Sequence, residues 1–384
     1  MLKLRRATVV EIDPPIGTPP AGGGEQGLVV ELSGAVAERR RAIADIALVG
    51  AALVGDEVIV NTEALDLGLG SGGFDVVHVN LTRGLQGTGV DGADVMKLNY
   101  TSIQHAVVPI DDERLELPIA RPVAVLALHG QLAAVAWAFA RAAPDGRLGY
   151  VQSTGGALPG AHSRTVRALR ERGLLAGHIS AGAAYGGEAE AITTAGALHH
   201  GFRALGWDAA VCGPGPGIVG SSSALGHGGM AALDSAHVAL ALGCRTLIVA
   251  RMSSSDERER HRGISHHTLT VLDLLLEPVT VALPAGMRSP VGSDLRAGLD
   301  TVFGGASHGR PALALDVERP VRITRHDWRR AAVELPAYAD SGLPSETMGR
   351  GLSEDPLFFG AALAGGTTLA TLAERAHDGA GDAA

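Results

Sequence analysis

From Val123 onward the chain alternates short apolar runs with helical segments, and few folds accept that rhythm. The runs are Val123–Leu128, Leu148–Gln152, Gly177–Ala181, Ala209–Cys212, Thr246–Ala250 and Val279–Leu283, separated by segments of helical apolar spacing. The segment ends carry start and stop signals. Ser163 precedes RTVRALRER with Gly173 following, Glu188–Leu205 closes at Gly206, Gly229–Leu242 closes at Gly243, and Ser265 precedes HHTLTVLDLLLE before Pro278. A strand that is apolar at successive positions has no polar face to turn to water, so both of its faces must be covered. Intervening helices do this for parallel strands. The expected class is α/β: a mostly parallel sheet with helices on both faces.

The chain before that point reads differently. Thr8–Ile12, Gly27–Leu32, Glu57–Val60 and Phe74–Val79 are short β-branched runs interrupted by Pro and Gly, and DPPIGTPPAGGGEQG at 13–27 must be a loop. LDLGLGSGGF at 65–74 reads as a turn. DDERLELPIARP at 111–122 is a charged, Pro-bounded connection. The expected organisation is a smaller β-rich, barrel-like N-terminal domain over 1–118, an α/β domain with a less regular C-terminal extension over 119–376, and a disordered tail over 377–384. ALALDV and VRIT are candidate extra strands, and SEDPLFFGAALAGGTTLATLAERA reads as a broken terminal helix.

With 384 residues and 46% hydrophobic content, two cores are within reach. A net charge of −9 gives no overall basic surface for nucleic acid or anionic membrane, so neither is expected as a partner. Apolar runs such as Leu132–Ala140 stop short of a span, and MLKLRRATVVEID lacks the apolar core of a signal peptide, so a cytoplasmic location is expected. Cys212 and Cys244 offer neither metal spacing nor a disulfide framework and read as small buried hydrophobes.

Ligands of open α/β sheets sit outside the carboxyl ends of the strands. Those ends are rich here in small and polar residues: His129-Gly130, Ser153-Thr154-Gly155-Gly156, Gly182, the loop from Gly213 to Gly229, and Arg251 onward. Each loop alone is ordinary turn chemistry; five on one edge suggest a cleft. In GPGPGIVGSSSALGHGGMAALDSAH at 213–237, Gly215, Gly217, Gly226, Gly228 and Gly229 let backbone amides approach an anion. Ser221 and Ser222 add donors, and Pro214 and Pro216 remove two. Gly215, Gly217 and Gly220 match a dinucleotide fingerprint, but the next strand ends further away than the roughly 20 residues expected. Gly226, Gly228 and Ala231 fit that spacing, with Arg251 placed for a ribose phosphate as in NADP sites, yet no convincing strand precedes them.

His227, His237, His261, His266 and His267 cluster in the sequence, but no H-E-x-x-H or comparable spacing appears, so no metal is assigned. His227, between glycines before a helix, is the candidate general acid/base; His266 and His267, after a cap, come second. Arg258, Arg260 and Arg262 stand in a charged loop able to clamp an anion. Lysine is so rare that Lys3 and Lys97 are the whole supply against 32 basic residues. A position that keeps a compact ammonium where arginine is the rule draws notice, so Lys97 in MKLNYTS is the other catalytic candidate. In an extended chain Asn99 and Thr101 would share its face. The alternative is a β-segment joining the domains. Asn61 and Asn80, each after an apolar run, read as turn residues.

At MKLNYTS, GHGGMAALDSAH and RMSSSDERERHRGISHH the chain resembles a bacterial family of domains of unknown function, DUF3866, over nearly its whole length. That resemblance carries no activity, cofactor or catalytic residue. The residues themselves lead to an uncharacterised protein that binds a small anion, phosphorylated or nucleotide-like, in an interdomain cleft at the strand carboxyl ends, with acid/base chemistry at Lys97 and His227. The alternatives are a non-catalytic binding or assembly protein and an NADP-dependent oxidoreductase. Homo-oligomerisation stays open and the cofactor unassigned.

Overall fold

The computed structural model describes residues 1–13, 24–34, 36–68, 73–85, 87, 89–111, 114–156, 159–221, 223–287 and 319–381. Much of the 13–27 loop, part of the 65–74 turn, ALALDV, Ser222 and 382–384 therefore lie outside the described residues. The chain forms two compact units, Met1–Pro109 and Ile110–Ala384.

The first unit is a closed five-stranded barrel. Its strands β1 (Leu4–Ile12), β2 (Glu25–Leu32), β3 (Glu38–Asp45), β4 (Glu57–Asn61) and β5 (Asp75–Asn80) close in the order β1-β2-β3-β5-β4, with β3 and β5 parallel and β4 returning antiparallel to β1. Short helices α1 (Ile46–Val49) and α2 (Glu63–Asp66) follow β3 and β4. Alternation places Ala7, Val9, Leu28, Val30, Val58 and Val60 inside, where small and β-branched side chains fill a narrow barrel. Strand β3 opens with the charged run ERRR, which hides it from a hydrophobic reading. Half-buried Arg40, in step along the strand with the core residues Ala42 and Ala44, pairs with Asp66 at 2.7 Å, and exposed Arg39 with Glu31 at 3.5 Å. Asn61 and Asn80 do act in turns: Asn61 Oδ1 accepts from the Glu63 amide, and Asn80 Oδ1 from those of Thr82 and Arg83.

After the barrel comes a hairpin of β6 (Val95–Lys97) and β7 (His105–Val107), in which Lys97 pairs with His105. The expected shared face of Lys97, Asn99 and Thr101 does not form. Leu98 and Tyr100 take φ of 50° and 65°, which ends the strand at Lys97. Lys97 is buried, whereas Asn99 and Thr101 are exposed in the turn and the Thr101 hydroxyl donates to the Leu98 carbonyl at 2.6 Å.

The second unit is built on an all-parallel eight-stranded sheet. Its strands are β8 (Pro122–Val125), β9 (Leu148–Ser153), β10 (Gly177–Ala181), β11 (Ala189–Ala191), β12 (Ala209–Pro214), β13 (Arg245–Val249), β16 (Thr280–Pro284) and β17 (Asp327–Ala331), in the order β11-β10-β9-β12-β8-β13-β16-β17. Two-residue pairs β14 (Met252–Ser253) with β15 (Gly263–Ile264), and β18 (Glu346–Thr347) with β19 (Arg350–Gly351), lie apart from it. The helices are α3 (Leu132–Ala142), α4 (Arg164–Glu171), α5 (Thr194–Arg203), α6 (Ala231–Ala241), α7 (His266–Leu274), α8 (Arg319–Thr324), α9 (Leu335–Ala339) and α10 (Pro356–Gly381). One face of the sheet, with Val123, Val125, Cys212 and Ile248, packs on α5, α6 and α7. The other, with Ala124, Leu126, Val211 and Val249, packs on α3, α4 and α10. Successive residues of one strand thus serve opposite cores, which explains the unbroken apolar runs.

Three local readings change. The helix expected over Glu188–Leu205 begins only at Thr194, where Thr193 caps it, because Ala189–Ala191 pairs with β10 as the sheet's edge strand. VRIT lies in α8, and the strand forms after it as β17. The terminal segment is one continuous helix, α10, whose glycines serve packing. A Cβ on Gly366 would lie 2.2 Å from the Val135 carbonyl oxygen, and one on Gly365 2.8 Å from Val249. Over Pro356–Ala376 this helix is long and apolar enough to cross a membrane, yet 83% of that window is buried within the fold. Leu357, Phe358, Phe359, Leu363, Leu369 and Leu372 lie buried there, each worth roughly 1.5–3 kcal/mol.

The approach at Gly366 gives a direct test. Alanine in a helix interior gains up to about 1 kcal/mol over glycine, but forcing a methyl against the α3 backbone costs about 1–3 kcal/mol. Gly366→Ala is expected to lower the melting temperature by about 1–3 °C, measured by calorimetry; an unchanged or raised value would contradict the packing role.

Candidate functional site

Because the sheet is all parallel, the loops after β8, β9, β10, β12 and β13 leave it at one edge. Two of them meet through their glycines. Gly155, at φ 111°, lies against the turn into α6: a Cβ there would be 3.0 Å from Ala231 and 3.1 Å from the Gly228 carbonyl. Gly156 bridges to Ile218, and a Cβ on it would sit 2.1 Å from the Gly215 oxygen. Gly155, Gly156, Gly215 and Gly228 therefore bring backbone against backbone. Gly217 takes φ 87° in an exposed turn. Ser221 and Gly226 close a small turn of their own, the Ser221 amide donating to the Gly226 carbonyl at 2.8 Å and the Gly226 amide to Ser223 Oγ at 2.8 Å. The Ser153 hydroxyl donates to the carbonyl of exposed Thr154 at 3.2 Å.

Beside this packed edge, the end of β13 is joined to the start of α7. The Ser265 amide donates to the Arg251 carbonyl at 2.9 Å, and the Arg251 amide donates to Thr268 Oγ1 at 2.8 Å. Ser265 Oγ caps α7 by accepting from the His267 amide, which fixes His266 and His267 in the first helical turn. The β14–β15 pair turns the charged loop back on itself and returns His261 to the same place. His227 arrives from the other side, directly before the one-turn helix Gly228–Met230 that leads into α6.

Four imidazoles meet there. His227 and His267 stack with ring centroids 3.5 Å apart and planes 11° from parallel, and Gly229 makes room for both. His266 lies edge-on to His267 at 4.4 Å, and His261 lies 4.8–4.9 Å from the pair. One donor nitrogen from each of His227, His266 and His267 lies within 4.8 Å of the other two. His227 Nε2 donates to the Ala224 carbonyl at 3.0 Å, while its Nδ1 and the Nε2 of His266 are buried without a hydrogen-bond partner.

Arginines surround the rings. Arg251 is buried, its Nη1 2.8 Å from His267 Nδ1, so that the imidazole nitrogen accepts. Asp256 gathers three guanidinium groups: a fork from Arg258 at 2.9 Å, Arg350 at 3.2 Å and Arg251 at 3.7 Å. Asp355, at the head of α10, accepts from Arg350, from the Ser253 hydroxyl at 2.5 Å and from the Ser254 amide at 2.7 Å. Arg262 is exposed and donates to the Asp256 carbonyl. Burial, then the arginine charges, push His261 down to about 3; burial, then neighbouring His227 and the arginines, push His266 down to about 4, and His267 falls by the same kinds of cause. Burial and the nearby Arg258 bring Arg251 down to about 10, with Asp256 opposing them. The rings are thus neutral bases in a positive field.

The second unit brings His227, His266, Arg251 and Gly229 together, with Gly228 beside them. Ser221 and Gly226 form a separate turn, and Lys97, Asn99 and Thr101 belong to the first unit. Sequence reasoning placed His267 with His266 as second acid/base candidates, on the signal of a His-His pair just inside a serine cap. Asp256, Arg350 and Asp355 had none, because their meeting depends on tertiary folding.

A second polar cluster holds the start of the β12 loop. Tyr150 donates to the Gly213 and Pro214 carbonyls at 3.2 Å, stacks on His178 at 5.1 Å, and neighbours His129, whose Nε2 lies 2.8 Å from Ser163 Oγ. Burial pushes His129 down to about 4 and His178 down to about 3. Below the ordinary histidine value of about 6.5, the unfolded chain takes up protons that these rings refuse in the fold. Their contribution is therefore complete above pH 6.5 and falls as pH drops toward 4. Denaturant midpoints should decline across that window, and His178→Gln should flatten the slope; a midpoint independent of pH there would contradict the burial.

No curated protein and no solved structure matches the chain. A family model described as protein of unknown function (DUF3866) matches residues 41–366, from within β3 of the barrel to the middle of α10. The chain therefore belongs to the DUF3866 family.

Proposed function

We propose that the second unit binds a small oxyanion, of the phosphate or carboxylate kind, beside the imidazole cluster at the carboxyl end of β13. The observation that carries this reading is a pair of unmatched donors in the charged loop: Ser255 Oγ and Arg260 Nε are buried without a hydrogen-bond partner. Leaving such groups unsatisfied costs about 1–3 kcal/mol each, which an oxyanion with several acceptor oxygens would recover. The positive field of Arg251, Arg258 and Arg260 that depresses the histidines favours the same guest. The dinucleotide alternative has less support. Gly226 is turned into a serine-lined loop, Gly228 packs on Gly155, and Arg251 is committed to His267 and Asp256.

Inorganic phosphate titrated into the metal-free full chain should raise the melting temperature progressively, as expected for a ligand of the native state. The double variant Ser255→Ala, Arg260→Gln should bind about 10- to 100-fold more weakly, the range expected for a charge-assisted bond. Phosphate also stabilises folds generally by exclusion from their surfaces, so the comparison with the variant decides. Equal shifts in both proteins would sink the reading.

A further inference from the structure

We infer that His227, His266 and His267 form a binding site for one divalent transition-metal ion, with zinc the best chemical match. Three observations converge. The three donor nitrogens lie within 4.8 Å of one another and come from two separate elements, the entry to α6 and the first turn of α7. His227 and His266 are each only 6% exposed, and each has one ring nitrogen without a partner. The other nitrogen of His227 donates to the Ala224 carbonyl, the outer contact that fixes the tautomer and orients a metal-binding imidazole. Three neutral nitrogen donors suit zinc, cobalt or nickel and not the oxygen-seeking magnesium or calcium, and they leave a fourth position open.

The apparent obstacle is informative. Zinc–nitrogen bonds of about 2.0–2.1 Å place tetrahedral donors roughly 3.4 Å apart, so the cluster must contract. Parallel stacking of His227 on His267 aims their lone pairs side by side, so one of the two rings must turn. His267 cannot ligate the ion and keep Arg251: if Nδ1 binds the metal, the guanidinium must leave it, and if Nε2 binds, Nδ1 carries the proton and no longer accepts from Arg251. Metal loading and the Arg251–His267 hydrogen bond are mutually exclusive. Loading therefore frees the Arg251 guanidinium, and the arginine charge around the ion favours an anion in the fourth position. The inference does not depend on the oxyanion reading above, since phosphate binding to the metal-free chain tests that alone.

The experiment strips the full chain with a chelator and titrates zinc in competition with a chromophoric indicator, with cobalt absorption as a second readout. One ion per chain is expected. His227→Gln and His266→Gln should each weaken binding by at least about 100-fold, beyond what changes in outer-shell contacts cause. His78→Gln in the barrel should leave binding unchanged, and Arg251→Met should tighten it. Binding no stronger than the glutamine variants retain, or absent from the native chain, overturns the site. Should a glutamine variant fail to fold, histidine-ring resonances of the native chain decide the matter: cobalt should displace those of His227, His266 and His267, and a spectrum in which they stay put overturns the inference.

Discussion

A sheet whose inner strands carry apolar side chains on both faces can offer neither face to water. Everything in the second unit follows from covering it twice. Helices α5 to α7 close one side, and α3, α4 and α10 close the other. The parallel direction that this layering requires sends every strand-to-helix loop off the same edge. The polar groups of those loops are forced into one neighbourhood by a demand that concerns only hydrocarbon. The imidazole cluster is a by-product of topology that local capping then sharpens: Ser265 fixes the orientation of α7, and the hydrogen bond from its amide to the Arg251 carbonyl fixes the distance from β13.

What could be read from the sequence tracks the range of the forces involved. The α/β alternation, the barrel-like start and the caps at Ser163 and Ser265 were legible, because burial pattern and capping are written within a few residues. Strand β3 was not, since its arginines, one of them half-buried in step with Ala42 and Ala44, mask the alternation. The continuity of α10 was not either. Two adjacent glycines look like a break in isolation, and only the α3 backbone lying against Gly366 explains them. The candidate site divides in the same way. His227 and His266 stood out beside glycines and a cap. The convergence of four rings joins segments up to 40 residues apart, and the arginines on Asp256 include one from 94 residues away, Arg350.

The glycine-rich loop after β12 carries a lesson about motifs. Read alone, its glycines suggested amides open to a phosphate. In the fold, Gly155, Gly156, Gly215 and Gly228 are spent on letting loops touch, and Ser221 and Gly226 bond to each other. Around the imidazole cluster the unmatched atoms lie on Ser255, Arg260, His227 and His266, and others lie further off, on Asp75 and Trp207 among the described residues. An unsatisfied buried polar atom is a firmer physical reason to propose a ligand than glycine spacing, since it has lost its contact with water and lacks an internal replacement.

The bond between Asp355 and the 253–254 turn has a consequence for biosynthesis. Ser253, Ser254 and Arg350 all depend on a carboxylate at the head of α10, a helix that emerges from the ribosome after the rest of the second unit. Until it docks, one side of the sheet is covered only by α3 and α4, and Arg350 lacks its Asp355 partner. A nascent chain can therefore carry every histidine of the cluster while the 253–254 turn still lacks its Asp355 anchor.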